Sequence, residues 1–297
     1  MAKRKSKKSP LISLLILILV ILSVVLGGNE FTTTKNADFT DESSVYVHFI
    51  DVGQGSSTLI QQGTTGILID AGEKDYGDTV IDYLNSVGIT SLEYVVASHP
   101  HSDHIGGLDD VLYAFPTDKI ILPELAEFNT PTTRVYEDLL EAIYDNGIVT
   151  ELIYDEGYHH KFNDDITLRA IAPVKQDDNL NNMSIICYIE AFDTKFAILA
   201  DAEKDELRGI NDETIYDLSA DVVALGHHGS STSLYKPFLW NVNASVAVIS
   251  CGRNNSYGHP HKETLDFIHS CPMILYRTDE CGDIVFKVTA DDYSIVS

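Results

Sequence analysis

The densest chemistry in the sequence is the run Ser98-His99-Pro100-His101-Ser102-Asp103-His104-Ile105-Gly106-Gly107. Three imidazoles and one carboxylate fall within six residues, and these are side chains that first-row divalent cations such as Zn²⁺ and Mn²⁺ accept. Four ligands packed this closely cannot all reach one tetrahedral ion without strain, so alternate members are expected to serve two ions. Further along, Asp201 ends the apolar run Ala197-Ile198-Leu199-Ala200, and His227-His228 follow Val223-Ala224-Leu225-Gly226. Taken alone, Asp201 also suits the N-cap of a helix starting at Ala202.

Such groups need rigid elements behind them, because sites in layered folds are built from loops at strand ends. Tyr94–Ala97 reads as a buried strand leading into the His-rich loop, and Gly106-Gly107 as the entry to a helix. Other strand-like runs lie at Val45–Asp51, Thr58–Gln61, Gly66–Asp70, Lys119–Leu122, Ile166–Ile171, Ser184–Ala191, Lys195–Leu199, Val222–Leu225, Ser245–Ser250, Ile274–Arg277 and Asp283–Val288. Helical patterns fall near Gly77–Ser86, Leu108–Ala114, Thr132–Asn146, Ala202–Leu207, Ser233–Trp240 and His261–His269. Strands come first, then strands alternate with helices, and the second half repeats the progression. That order predicts an α/β domain of two mixed sheets packed face to face with helices outside, rather than a doubly wound parallel sheet.

At 297 residues with 44% hydrophobic composition, the chain can bury one sizeable core, expected over residues 45–297. Residues 1–10 are basic, with five Lys or Arg, and an uncharged apolar run continues from Leu11 to Leu26, or residues 11–28 with its two glycines. This length lies between a signal-peptide core and a spanning helix. The residues before Gly28 form a poor cleavage site, so the reading is a transmembrane anchor or uncleaved signal. Massed positive charge on its N-terminal side keeps that end cytoplasmic and exports the rest of the chain, giving a single-pass membrane protein with an extracellular domain, or a secreted one if the signal is cleaved. Residues 29–44, NEFTTTKNADFTDESS, read as a linker.

From Val45 onward there are 14 Lys or Arg against 41 Asp or Glu. A surface so acidic repels polyanions unless a basic strip or bound metal offsets it. The four cysteines show no Cys-x-x-Cys spacing, and Cys187 and Cys251, in apolar strand-like runs, read as buried free thiols. His48, His159, His160 and His269 read as structural or exposed, and His261 stays open.

The His-x-His-x-Asp-His run after a strand resembles the hallmark of the metallo-β-lactamase superfamily, which implies an αββα sandwich. The resemblance assigns His99 and His101 to a first metal, Asp103 and His104 to a second, Asp201 to the bridge between them, and one of His227 and His228 to the last metal position. We favour His227, at the strand end, and leave His228 to a supporting or substrate-facing role. A bridging carboxylate lets two cations share a nucleophilic hydroxide, with Asp103 or His228 managing the proton.

Within the superfamily the sequence is more similar to the hydrolase domain of the ComEC competence family. The matching segments are His48-Phe49-Ile50-Asp51-Val52-Gly53-Gln54-Gly55, Ile67-Leu68-Ile69-Asp70-Ala71-Gly72, the Asn182/Ser184 segment and Gly252-Arg253-Asn254-Asn255-Ser256-Tyr257-Gly258-His259-Pro260. Asp70 is expected to orient metal ligands from behind. The Gly53/Gly55 turn is expected to bring Asp51 near the metals, and Arg253 and His259 to hold an anionic substrate oxygen. Two departures stand out. The superfamily's third first-metal His is missing from Asn181-Asn182-Met183-Ser184, as in ComEC-like proteins, so water, substrate or His259 is expected to complete that site, and Mn²⁺ gains ground on Zn²⁺. Ser56 also replaces an Asp. A full ComEC protein carries a multi-helix channel, whereas this chain has one hydrophobic segment. The resemblance implies a metal-dependent phosphodiesterase or nuclease with two divalent metal ions, acting on single-stranded DNA, other extracellular nucleic acid or a cell-envelope phosphodiester such as phosphorylcholine on teichoic acid. Lactam or other acyl-bond hydrolysis, and an inactive surface-anchored binding module, are the rivals.

Overall fold

Strand β1 (Val45–Phe49) is buried along its whole length. Val45, Val47 and Phe49 face one apolar cluster, while Tyr46 and His48 point to the other side and contact Phe39. A strand covered on both faces belongs in the middle of a layered structure. The computed structural model describes residues 38–154, 157–213 and 217–297. The basic segment, the apolar run and most of the linker lie outside the described residues, and among those described no helix is long and apolar enough to cross a membrane.

Strands β1, β2 (Thr58–Gln62), β3 (Thr65–Ile69), β4 (Ser91–Val96), β5 (Thr117–Pro123), β6 (Val149–Ile153), β14 (Ile284–Val288) and β15 (Tyr293–Ile295) form one mixed sheet in the order β15-β14-β1-β2-β3-β4-β5-β6. Strands β7 (Tyr158–Lys161), β8 (Ile166–Ile171), β9 (Ile186–Ala191), β10 (Thr194–Ile198), β11 (Val222–Ala224), β12 (Val246–Ile249) and β13 (Ile274–Arg277) form the other, in the order β13-β12-β11-β10-β9-β8-β7. Each sheet has a parallel half: β3 to β6 in the first and β10 to β13 in the second. One core lies between the sheets, joining Val47, Ile67 and Val96 to Leu168, Phe196 and Val248.

The alternate side chains of each sheet face helices. Leu59, Leu68, Val95 and Ile120 pack with residues of α1 (Gly77–Ser86), α2 (Leu108–Ala114) and α3 (Arg134–Asn146). Ile186, Ala197, Val223 and Ile249 do so with α4 (Lys204–Glu213), α5 (Lys236–Val242) and α6 (Lys262–Ser270). The two mixed sheets with flanking helices match the expected α/β class. Cys187 and Cys251 are buried free thiols, and burial pushes the Cys251 thiol up to about 12. Strands β6, β7 and β15 were not legible. β6 and β15 are edge strands, and β7, Tyr-His-His-Lys, lies on the edge of its sheet with a polar, half-exposed pattern. Helix α4 runs further than the expected Ala202–Leu207.

Candidate metal centre

The site residues follow the C-terminal ends of parallel strands from both sheets, where open α/β sheets place ligands. Asp70 follows β3 and the His-rich loop follows β4, while Asp201, His227-His228 and Ser250 follow β10, β11 and β12. Two groups of side chains close enough to hold an ion result. One is His99, His101 and Asp201; the other is Asp103, His104, Asp201 and His228. Asp201 belongs to both.

His99, His104 and His228 are each held so that one nitrogen faces outward to an anchor and the other faces Asp201. Asp70 accepts from His104 Nδ1 at 2.6 Å, from the Ser98 amide at 2.8 Å and from Ser98 Oγ at 2.7 Å. A carboxylate can only accept, so His104 carries a proton on Nδ1, and its Nε2 stands 3.0 Å from Asp201 Oδ1, where its lone pair would be free for a cation. Ser98 Oγ spends its one proton on Asp70 and is left to accept from His99 Nδ1 at 3.1 Å. The Ser250 carbonyl accepts from His228 Nδ1 at 2.9 Å, and His228 Nε2 faces Asp103 Oδ2 at 3.1 Å and Asp201 Oδ1 at 3.7 Å. Fixing a ligating imidazole through its far nitrogen is the usual way to orient it toward a metal.

Two observations fit a bound cation. His104 Nε2 and Asp201 Oδ1 are buried and complete no hydrogen bond despite their approach. His99 Nε2 and His101 Nδ1 stand 3.1 Å apart, close to the spacing of about 3.3 Å between two nitrogens bound tetrahedrally at ~2.0 Å to one ion. Borderline nitrogen and carboxylate donors suit Zn²⁺, Mn²⁺ or iron.

Electrostatics follow the same layout. Burial opposes charging His104, but Asp201 and Asp70 outweigh it and hold its pKa well above the ordinary value. Burial, reinforced by His104, pushes His99 well below. Burial also disfavours charge on Asp201 and Asp103, yet the surrounding imidazoles hold both carboxyls low.

The structure reverses the expected order of the histidine pair: His228, not His227, sits with Asp103 and His104. His227 and His228 are both left-handed, at φ 51° and 54°. Such backbone costs about 1–2 kcal/mol per non-glycine residue. Its effect is to turn two consecutive rings toward one cleft, where an extended strand would send them to opposite faces. Asp70, at φ 61°, uses the same region.

Asp51 does not reach the centre. Its Oδ1 accepts from the Gly53 amide and its own amide donates to Asp283. The glycine turn acts through backbone instead: Ser56 N–H donates to the Asp103 carbonyl at 3.1 Å, and a Cβ on Gly55 would stand 2.6 Å from that oxygen. Arg253 is likewise removed from the expected substrate role. It is exposed, and its guanidinium donates twice to the Asp279 carbonyl, so it clips two loops together. Ser184 Oγ accepts from the Asp201 amide at 3.1 Å, and Asn182 Oδ1 accepts from the Glu203 amide at 3.3 Å, so both support the loop that carries Asp201 rather than join either ligand group. His261 accepts from the Ser231 amide, a structural role.

His259 does face the cleft, an open space of about 310 Å³ lined also by Gln54, Glu73, Asn181 and Tyr257. Its Nδ1 is buried without a partner, and burial with the neighbouring His227 and His228 lowers its pKa to about 4. It is not within reach of either group as a ligand. Tyr257, 65% exposed, stacks on it at 5.7 Å. Among the described residues, no Lys or Arg lines this space. Sequence reasoning missed Glu203 and Thr232, which flank His227, because nothing local marks them.

Residues 50–252 match the model of the metallo-β-lactamase superfamily. The chain is 28% identical over 81% of its length to ComE operon protein 3 of Bacillus subtilis, and 29% identical over 80% to Recombination protein 2 of Haemophilus influenzae. It spans only 33% and 28% of those proteins, about a third of the length of the relatives it matches. Among solved structures, CmlA, a diiron β-hydroxylase from Streptomyces venezuelae, superposes with a TM-score of 0.55 at 10% identity, covering 84% of this chain and 55% of its own. The metallo-β-lactamase fold protein YhfI of Bacillus subtilis gives 0.51 at 13%, covering 82% of this chain and all of its own. Both likenesses concern the fold alone. With its family model, its two mixed sheets and its paired His/Asp groups, the chain belongs to the metallo-β-lactamase superfamily and is a hydrolase of that family related to competence proteins.

Proposed function

We propose that the protein is a dinuclear metal-dependent hydrolase of phosphodiester bonds, using Zn²⁺ or Mn²⁺. The observation that carries this reading is the sharing of Asp201 between two adjoining ligand groups at the floor of an open cleft. Bound there, two divalent cations supply a nucleophile at neutral pH and positive charge for the non-bridging oxygens of a phosphodiester. The chain's own residues orient the ions and exchange protons: His228 and Asp103 Oδ2, 3.1 Å apart at the cleft wall, would hold the ion, leaving the other Asp103 oxygen able to take a proton beside the reacting atoms. Among the described residues no Lys or Arg lines the cleft, so the substrate's negative charge would be met chiefly by the ions. That favours a short or single-stranded phosphodiester, or one in the cell envelope, over a long duplex. The likeness to Recombination protein 2 supports the same substrate class.

The N-terminal apolar run, preceded by five Lys or Arg, supports a single-pass anchor with the hydrolase domain outside the cell. Protease added to intact cells then removes the domain, and protection refutes that topology. For the activity, purified full-length protein loaded with Mn²⁺ or Zn²⁺ is offered model phosphodiesters, single-stranded DNA and a β-lactam. Cleavage of a phosphodiester that stops on chelation supports the reading, and turnover of the lactam alone overturns it.

A further inference from the structure

We infer that His227 supplies the third imidazole of the His99–His101–Asp201 group, the place that Asn181-Asn182-Met183-Ser184 leaves without one. The inference rests on the dinuclear reading above and assigns its incomplete half. Asp201 presents two oxygens, and each is faced by two imidazoles. Oδ1 looks at His104 Nε2 at 3.0 Å and His228 Nε2 at 3.7 Å. Oδ2 looks at His99 Nε2 at 3.8 Å and His227 Nε2 at 3.7 Å. Ligand atoms each about 2 Å from one ion stand roughly 3–4 Å apart, so the four separations from Asp201 suit coordination; His227 stands just outside the set of side chains already grouped with His99 and His101, and its ring has to swing inward to close on an ion there. The arrangement is symmetrical about the carboxylate, with His227 on the His99 side.

The far side of the ring agrees. His227 Nδ1 lies 3.1 Å from Thr232 Oγ1 and 3.3 Å from the Glu203 carboxylate, which can only accept. Asn181 Nδ2, a donor, lies further off at 3.4 Å, so the nearer carboxylate places the proton on Nδ1 and the lone pair on Nε2. His99, His104 and His228 show the same outward anchoring, to a hydroxyl, a carboxylate and a carbonyl. Asn181 donates to Glu203 Oε1 at 3.1 Å and holds that anchor in place. The left-handed backbone of both His227 and His228 is the second, independent sign, since strain of this kind persists where a side chain must be aimed. In the usual superfamily arrangement an imidazole would come from the Asn182 segment. Here it comes from the residue next to the other group's histidine, so one turn serves both ions.

The test is metal stoichiometry and affinity of the full-length protein, by elemental analysis and titration calorimetry with Mn²⁺ and Zn²⁺. His227→Gly accepts the left-handed backbone without strain, so a folded variant is expected, checked by circular dichroism. The wild type should bind two ions. His227→Gly should keep one at an affinity within a few-fold of wild type and lose the other by about 10-fold or more, the loss typical even of groups that only support a ligand. Added imidazole should restore the lost ion, which repair of a merely structural defect would not show. Two ions bound with wild-type affinities in His227→Gly, equal weakening of both, or no rescue by imidazole overturns the assignment. None of these readouts involves turnover. A protein that holds two ions through His227 yet cleaves no phosphodiester sinks only the proposed activity.

Discussion

Asp70→Asn is the most discriminating single change near the centre. Asparagine tolerates the left-handed backbone at φ 61° and keeps the side-chain volume, so the perturbation is confined to one oxygen becoming an NH₂ group. The carboxylate now accepts three hydrogen bonds, from the Ser98 amide, Ser98 Oγ and His104 Nδ1. The amide oxygen can retain the first, and Ser98 Oγ can rotate to accept from the new NH₂. His104 has no such freedom. Facing a donor, its Nδ1 must become an acceptor, and the proton moves to Nε2, where it meets Asp201 Oδ1 at 3.0 Å in place of a lone pair. The ring then donates to the bridge instead of ligating. A supporting partner of this kind is worth about 10- to 100-fold in metal affinity, about 1.4–2.7 kcal/mol, and the lost charge-assisted bond adds about 1.5–3 kcal/mol of destabilisation. The loss should fall on the ion held by Asp103, His104 and His228, with the His99–His101 ion affected less. Titration calorimetry separates the two binding events and urea unfolding gives the stability. Unchanged affinity for both ions in Asp70→Asn would refute the reasoning about proton placement.

Three further substitutions test the bridge and a buried histidine away from it. Asp201→Ala should abolish binding of both ions, while Asn182→Ala, which only removes an acceptor for the Glu203 amide, should leave stoichiometry at two and cost less activity; equal losses would mean that the bridge is misassigned. His48 is fully buried against Tyr83, and burial holds its pKa down to about 3 against 6.5 in the unfolded chain. The unfolded state therefore binds the extra proton first, and stability present above pH 6.5 is lost as pH falls from there toward 3, by several kcal/mol at about 1.4 kcal/mol per pH unit. His48→Gln should flatten that part of the acid-unfolding curve, and a curve identical to wild type would show that other groups govern it.

The metal loop was legible because its members are neighbours in sequence, and their chemistry is stated by residue type alone. Asp70 was legible for the same reason at one remove, since a buried strand ending in Asp needs a partner for its charge. The choice between His227 and His228 was not, because it depends on two successive left-handed residues, and histidine gives no hint of that conformation. Arg253 and Asp51 misled because their motif positions are right while their side chains are taken by nearby groups, the Asp279 carbonyl and the Gly53 amide. Edge strands such as β6, with Val149 and Leu152 exposed, lack the alternation that marks a covered strand.

The two sheets contribute unequally to the contacts that hold them together at the site end. His99, His101, Asp103 and His104 belong to the loop after β4 of one sheet, whereas Asp201, His227 and His228 follow strands of the other. Any cation bound between them is a removable cross-link across the sandwich, made to the folded chain and not to the unfolded one. By mass action each such ion adds about 2.7 kcal/mol of stability when its free concentration is a hundred times its dissociation constant, a large share of the ~5–15 kcal/mol that keeps a domain folded. With ions bound there, resistance to unfolding would become a reading of cation supply in the surroundings, and depletion would lower the stability of the domain.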